Sequence, residues 1–409
     1  MIFRNILLFL FTFGLLTELR IFSGDQVLIP VFISFIIGFF FILKHLPKFF
    51  HYDLKYFYYV VLFFLISIFF GPDKLDSLFL KERFLGFVQI FTSLVISIAI
   101  YFELKRFELK KLSSFFFYLF LFILFGSLIE VISPLKYILD AFMSPLFPEG
   151  NYYFDVQRDI NLYSYYRPKF FTSEPSHLGK FISMVIFMWR LSTNHSKKNI
   201  LFVLFLTISF FVIRSPLILF MFPVFFLILL LLENNYYHKL NLENFILSLL
   251  IFLIALIGSI NLLQERFESI SSGTDRSLNQ RLIIPLFVTS EVLAEYPTFG
   301  VGIAGKEVIE IIVLNKFLEI DPNFKPRSIK ELLDKNHTTS LQYFIYFGLI
   351  GTLILGFLLK FLISSLGTKS WLFIFLTFFI LGFTHGKLTG LNTWTYFFTS
   401  ILILQKRNL

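Results

Sequence analysis

The sequence predicts an all-α polytopic membrane protein with about twelve transmembrane helices. Composition is the first reason: 56% of the residues are hydrophobic and 15% charged, against about 45–50% and about 25% in soluble domains. Length is the second. The apolar residues fall into blocks of roughly 15–22, enough to cross a bilayer as a helix. The third is the missing period-two alternation that the strands of a membrane barrel require. No internal repeat or low-complexity linker interrupts the 409 residues, which read as one integral membrane domain.

The blocks run over Ile6–Thr17, Val27–Leu43, Tyr56–Phe70, Phe84–Phe102, Phe115–Ile132, His177–Trp189, Ile200–Ile213, Leu217–Leu232, Phe245–Leu263, Thr339–Phe361, Trp371–Phe383 and Leu391–Leu404. The first is short. It follows a basic residue but precedes no small-residue cleavage site, so it reads as a retained helix rather than a signal peptide. The 62 phenylalanines are spread through every block and are expected to fill lipid-facing positions.

Basic residues in the short loops orient the chain. With the N-terminus inside, the inner segments hold Arg4, Lys44, Lys48, Lys55, Lys105, Arg106, Lys110, Lys111, Arg190, Lys197, Lys198, Lys239, Lys360, Lys369, Lys406 and Arg407. The short outer loops hold only Arg20, Lys74, Lys81, Arg83, Arg214 and Lys387. Both termini are therefore expected on the cytoplasmic side. This bias also accounts for the net charge of +9, which does not indicate a nucleic-acid partner. With no cysteine, disulfides and thiol chemistry are excluded.

Two long polar stretches then fall outside, at Ser133–Ser176 and Gln264–Asn336, where both can meet one cavity. The first is rich in Tyr, Phe and Pro. Its tyrosines read as interfacial anchors, with stacking on sugars as the other option. In the second, Pro285 suits the first turn of a helix reaching about Tyr296. Lys306–Ile320 and Ser328–Asp334 read as further short helices. Pro297-Thr298-Phe299-Gly300-Val301-Gly302 is a turn whose glycines allow close backbone approach.

No phosphate loop, paired-histidine metal motif or nucleophile elbow is present, and the seven histidines are scattered. The candidates for chemistry are polar residues at outer helix mouths. Arg214 lies between two apolar blocks, where an arginine is costly unless it is paired or faces water. It reads either as a snorkelling interface residue or as an anion clamp. Arg281 and Arg276 read as solvated loop charges or as further anion contacts. Arg167 and Glu174 flank the entry to the block at His177. Glu174 suits a helix cap or an acid that orients or deprotonates a hydroxyl, and His177 reads as a capping or interface residue. His337 stands at the entry to another helix and suits proton transfer near neutrality.

The chain resembles the bacterial O-antigen polymerase and ligase superfamily. The resemblance lies in the topology and in a series of local matches. Ile213-Arg214-Ser215 comes first, followed by Arg281, the Pro297–Gly302 turn, and His337 leading into Leu341 and Gly348-Leu349-Ile350-Gly351. Glu174-Pro175-Ser176-His177-Leu178-Gly179 resembles a segment of the polymerase-type members. Thr338 stands where the family often has Asn, and residues 282–286 lack a common tryptophan.

The resemblance implies a GT-C-like membrane glycosyltransferase in the inner membrane, with its active site on the periplasmic face. It would transfer a growing glycan from an undecaprenyl diphosphate donor to a sugar hydroxyl of another lipid-linked repeat, beside membrane lipids and with a chain-length regulator as a possible partner. The donor is already activated, so neither a cofactor nor a metal is expected. Arg214, Arg281, Arg167 and Arg276 would hold the diphosphate, while His337 or Glu174 would take the proton. A ligase transferring glycan to lipid A-core, or a flippase for lipid-linked sugars, is the alternative; a flippase would place charges at mid-membrane depth.

Overall fold

The computed structural model describes residues 2–23, 26–29, 31–51, 54–71, 77–147, 152–154, 156–163, 165–233, 283–320, 339–383 and 387–407, with isolated positions between 246 and 268. These residues are overwhelmingly helical. In chain order the helices are α1 (Ile2–Thr17), α2 (Phe32–His51), α3 (Lys55–Ile66), α4 (Ser77–Leu104), α5 (Leu109–Ile132), α6 (Leu135–Met143), α7 (Val156–Tyr163) and α8 (Pro175–Ser192). They continue with α9 (Lys198–Ile213), α10 (Met221–Leu227), α11 (Ile284–Glu295), α12 (Lys306–Ile320), α13 (Thr339–Ser365), α14 (Trp371–Gly382) and α15 (Leu391–Lys406).

Among the described residues, four helical stretches are long and apolar enough to cross a membrane: Phe32–Phe50, Leu80–Leu104, Leu109–Ile132 and Ser340–Ser365. Shorter apolar helices cover Phe3–Thr17, Lys55–Phe69, Lys198–Ile213, Pro216–Leu227 and Trp371–Gly382. The chain therefore has the make-up of a membrane-embedded helical protein. Large apolar side chains stand exposed along the long helices, among them Phe39, Phe40, Phe122, Phe125, Leu353 and Phe357. Phenylalanine also fills the interior, as at Phe41, Phe64 and Phe187.

Several boundaries differ from the sequence expectation, each for a local reason. The block expected from Val27 begins as extended chain: Gln26–Ile29 pairs antiparallel with Ile21–Ser23, and the helix starts only at Phe32. The block at Leu217–Leu232 is not one α-helix. Pro216 opens a 3-10 turn, Met221–Leu227 is α-helical with Pro223 in its first turn, and Ile228–Glu233 is a π turn. The expected loop at 133–176 contains α6 and α7. Most of Phe245–Leu263 and all of Ser328–Asp334 lie outside the described residues.

The chain forms two compact units. The first comprises Met1–Lys44, Ala99–Thr274 and Phe398–Leu409, and the second comprises His45–Ile98 and Asp275–Phe397.

In the first unit α8 is central. It packs on α5, α9 and the turn at Pro216, and every residue from Phe181 to Ser192 is buried. Because protein surrounds it, α8 does not need to be apolar throughout. Arg190 is buried on it and donates to Asn199 Oδ1 from Nε at 2.8 Å. Small polar residues suit the same crowded position, and Ser183 returns its hydroxyl to Gly179 O.

One end of this unit is fastened by charge. Glu103 is fully buried, with Lys44 Nζ at 2.9 Å and Arg4 Nε at 3.8 Å. Lys406 donates to the Lys105 and Phe107 carbonyls, and Arg407 to Thr193 O. The ends of α1, α2, α4, α8 and α15 meet here. The other end gathers the end of α5, α6, α7, the start of α8 and the turn after α9.

The second unit is built around a broken helix. At Gly348 (φ 61°, ψ −164°) α13 leaves helical geometry. The break frees carbonyls before it and N–H groups after it, and backbone groups left unpaired in hydrocarbon cost several kcal/mol each. The turn after α11 satisfies them. Val301 N donates to Ile345 O at 2.9 Å and Gly302 N to Tyr346 O at 2.9 Å. In return Leu349 N reaches Pro297 O at 2.8 Å, while Ile350 N and Gly351 N reach Thr298 O at 3.0 and 3.2 Å. Arg83, fully buried on α4, braces the turn by donating to the Ile68 and Phe70 carbonyls. Ile303 N donates to Ser67 O in the same region. Apolar contacts close the arrangement, with Ile284, Val288 and Val292 of α11 packed with Val301, Ile309 of α12 and Ile345 of α13.

Candidate functional site

The polar end of the first unit is assembled from a short stretch of chain. Glu130 lies one turn beyond Gly126 on α5 and is 1% exposed. Its carboxylate accepts from Lys169 N at 3.0 Å, Phe170 N at 2.6 Å and Tyr166 Oη at 3.0 Å. The Phe170 ring occupies the space over Gly126, where an added Cβ would come within 2.0 Å of it. Phe170 and Phe171 have positive φ (31° and 65°), a conformation that costs about 1–3 kcal/mol per residue. The carboxylate and the glycine face together hold the segment there. Glu130→Ala should orphan two backbone donors, destabilise this end by about 2–4 kcal/mol and expose residues 165–174 to protease. Unchanged melting and cleavage would exclude the clamp.

Lys169 extends the network. Its Nζ meets Asp140 Oδ1 at 2.6 Å and Tyr153 O at 2.8 Å, over the Tyr152 ring at 4.0 Å. Burial lowers its pKa, against the raising effect of Asp140. Tyr152 donates to Asp140 at 2.7 Å. Burial, then that hydrogen bond, push its phenol pKa up, so it stays a donor. The tyrosines of this stretch thus serve several carboxylates, Tyr153 donating to Asp159 at 3.0 Å. Tyr137 of α6, by contrast, is exposed.

Arg167 is committed to Asp159. Its Nε and Nη2 reach Asp159 Oδ1 at 2.8 and 2.6 Å, and its guanidinium lies 3.9 Å from the Tyr163 ring centre. Arg214 is held differently. It ends α9 in left-handed geometry (φ 49°, ψ 41°), because the chain must turn before Pro216. Its Nη1 donates to Tyr163 O, and its guanidinium lies 4.2 Å over Tyr165. Its Nε is buried without a hydrogen-bond partner, and among the described residues no carboxylate pairs with it. Burial lowers its pKa. The result is a half-buried cation, oriented by tyrosines and lacking a counter-ion.

Glu174 precedes α8 in extended geometry and does not cap the helix with its side chain. The carboxylate instead accepts from Ser176 Oγ and lies 3.3 Å from His177 Nε2. His177 Nδ1 is 3.0 Å from Ser173 Oγ and 3.7 Å from Glu18 Oε2, at the end of α1. The start of α8 adjoins the Arg214 turn through Gly179, where an added Cβ would come within 2.5 Å of Ser215.

Among the expected site residues, Arg167, Glu174 and Arg214 lie at this one end. His337, Arg281 and Arg276 lie outside the described residues. Sequence reasoning missed Glu130, Asp140, Asp159 and Lys169. Glu130 closes an apolar block, as any interfacial acid does, and its partners lie about forty residues away. Comparison with protein-family models, curated proteins and solved structures finds no match.

Proposed function

We propose that the chain is a membrane glycosyltransferase of the O-antigen polymerase type. It transfers a growing glycan from an undecaprenyl diphosphate donor to a hydroxyl of another lipid-linked repeat, at the periplasmic face of the inner membrane. The observation that carries this reading is Arg214, a half-buried guanidinium with no carboxylate paired to it among the described residues. Such a group suits an anion arriving from outside the chain, and guanidinium matches phosphate oxygens bidentately. Glu174 stands near the same turn as a proton acceptor, with His337 as the other. Arg281 and Arg276 are further diphosphate contacts, and Arg167 acts through Tyr163, whose carbonyl Arg214 uses.

The surface polysaccharide of a deletion strain tests the reading. A single repeat on the lipid core supports a polymerase. Free polymer unattached to core supports the ligase, and lipid-linked repeats retained on the cytoplasmic face support the flippase. With His337 as the base, His337→Ala lowers turnover about 100-fold or more while sparing donor binding; with Glu174 as the base, the rate changes little. An unchanged rate would remove it as the base.

A further inference from the structure

His177 carries more than a place at a helix start. Its two ring nitrogens face different partners: Nδ1 meets the Ser173 hydroxyl at 3.0 Å, and Nε2 meets the Glu174 carboxylate at 3.3 Å. With the Ser173 hydroxyl donating to Nδ1, the proton resides on Nε2, the ring nitrogen nearest the Glu174 carboxylate. Ser176 holds the same carboxylate oxygen. Glu174 is 34% exposed and His177 23% exposed, so the carboxylate is the more accessible of the two. An acid–histidine–hydroxyl series of this kind orients a reacting group through a second one.

We infer that His177 is a positioning residue. As a neutral Nε2–H donor it holds the Glu174 carboxylate to receive the proton of the acceptor hydroxyl. This rests on the polymerase reading. In that transfer the acceptor oxygen forms a bond to the donor's anomeric carbon, and its proton passes to Glu174. The anomeric carbon–oxygen bond to the lipid diphosphate breaks, and the electron pair leaves with the diphosphate, toward Arg214. The groups acting on His177 come from two elements. Lys180 lies near the start of α8 and Glu174 immediately precedes it, while Glu18 and Arg20 follow α1. Glu18 at 3.7 Å is beyond hydrogen-bond range and acts by charge. A protonated His177 would sit between two carboxylates and withdraw Glu174 as an acceptor.

The test uses the full-length protein in lipid nanodiscs, with polyprenyl diphosphate-linked repeats extracted from the host as probe. His177→Ala should reduce kcat about tenfold with KM little changed, the scale of one lost hydrogen bond to a charged group. The acid limb of its pH–kcat profile should move to higher pH, because the carboxylate loses a bond that favours its ionised form. His177→Gln, whose amide N–H reaches the same oxygen, should restore most of the rate. Wild-type rate and profile in His177→Ala would overturn the inference. Nitrogen-15 histidine NMR of the same preparations supplies a readout independent of turnover, since Glu174→Gln should move the His177 Nε2 resonance. An unmoved resonance overturns the inference regardless of activity. A moved resonance with no chain extension by the wild type preserves the pairing but removes both the polymerase reading and the proton-transfer role.

Discussion

Arg214→Ala is expected to cut glycan extension about 100- to 1,000-fold while the protein accumulates at its normal level, the scale of losing one preorganised donor to developing charge. Among the described residues the side chain has no ion pair to lose, so truncation leaves none of their buried carboxylates unpaired. It donates to the Tyr163 carbonyl and stacks on Tyr165. Arg214→Lys should recover little, because an ammonium does not reproduce the planar fork or the stacking. Arg167→Ala gives the contrast: it strands Asp159, which is fully buried, so its loss of activity should come with lower stability. Thermal melting and chain-length gels on the same preparations separate the two behaviours. Normal chain length in Arg214→Ala would sink the diphosphate role.

The second large effect is on folding. Gly300 has φ 62° and Gly348 φ 61°, a region that side-chain-bearing residues enter at a cost of about 1–3 kcal/mol. An added Cβ on Gly300 would lie 2.4 Å from Ile345 O, and one on Gly348 2.6 Å from Gly300 N. The obstructing atoms are backbone atoms tied into the turn–helix hydrogen bonds, so they cannot yield without breaking those bonds. Gly300→Val or Gly348→Val should therefore destabilise the second unit by more than about 4 kcal/mol and reduce folded protein in the membrane. Either variant melting like wild type would show that the close approach does not constrain the chain. Gly356, which has no neighbour within 4 Å of a built Cβ, is the control: Gly356→Ala should be neutral or slightly stabilising.

These two sites show what a sequence discloses and what it hides. Local chemistry was legible. Pro285 announced α11, the polar–apolar pattern of Lys306–Ile320 announced α12, and Glu174 before Pro175 announced the start of α8. The glycines at 300 and 302 were legible as a place of close approach, but not as the partner of a break in another helix. Gly348 sits in an apolar block that satisfies every length and hydropathy criterion for an uninterrupted span. The break becomes visible only when a turn more than forty residues earlier occupies it. Arg214 was open to two readings because exposure and counter-ions are properties of the assembled chain. The same holds for Arg167, whose partner Asp159 lies eight residues away on another element.

The broken helix also sets an order of events during synthesis. The turn at Pro297–Gly302 leaves the ribosome before α13 does, so it must wait, as yet unpartnered, for the segment it completes. Until they dock, neither half of α13 satisfies its own backbone at Gly348, and lipid offers no substitute. Docking closes all five of the turn–helix backbone bonds together. Partial insertion at this point therefore has no resting place: the pair either seats completely or leaves its polar groups in water.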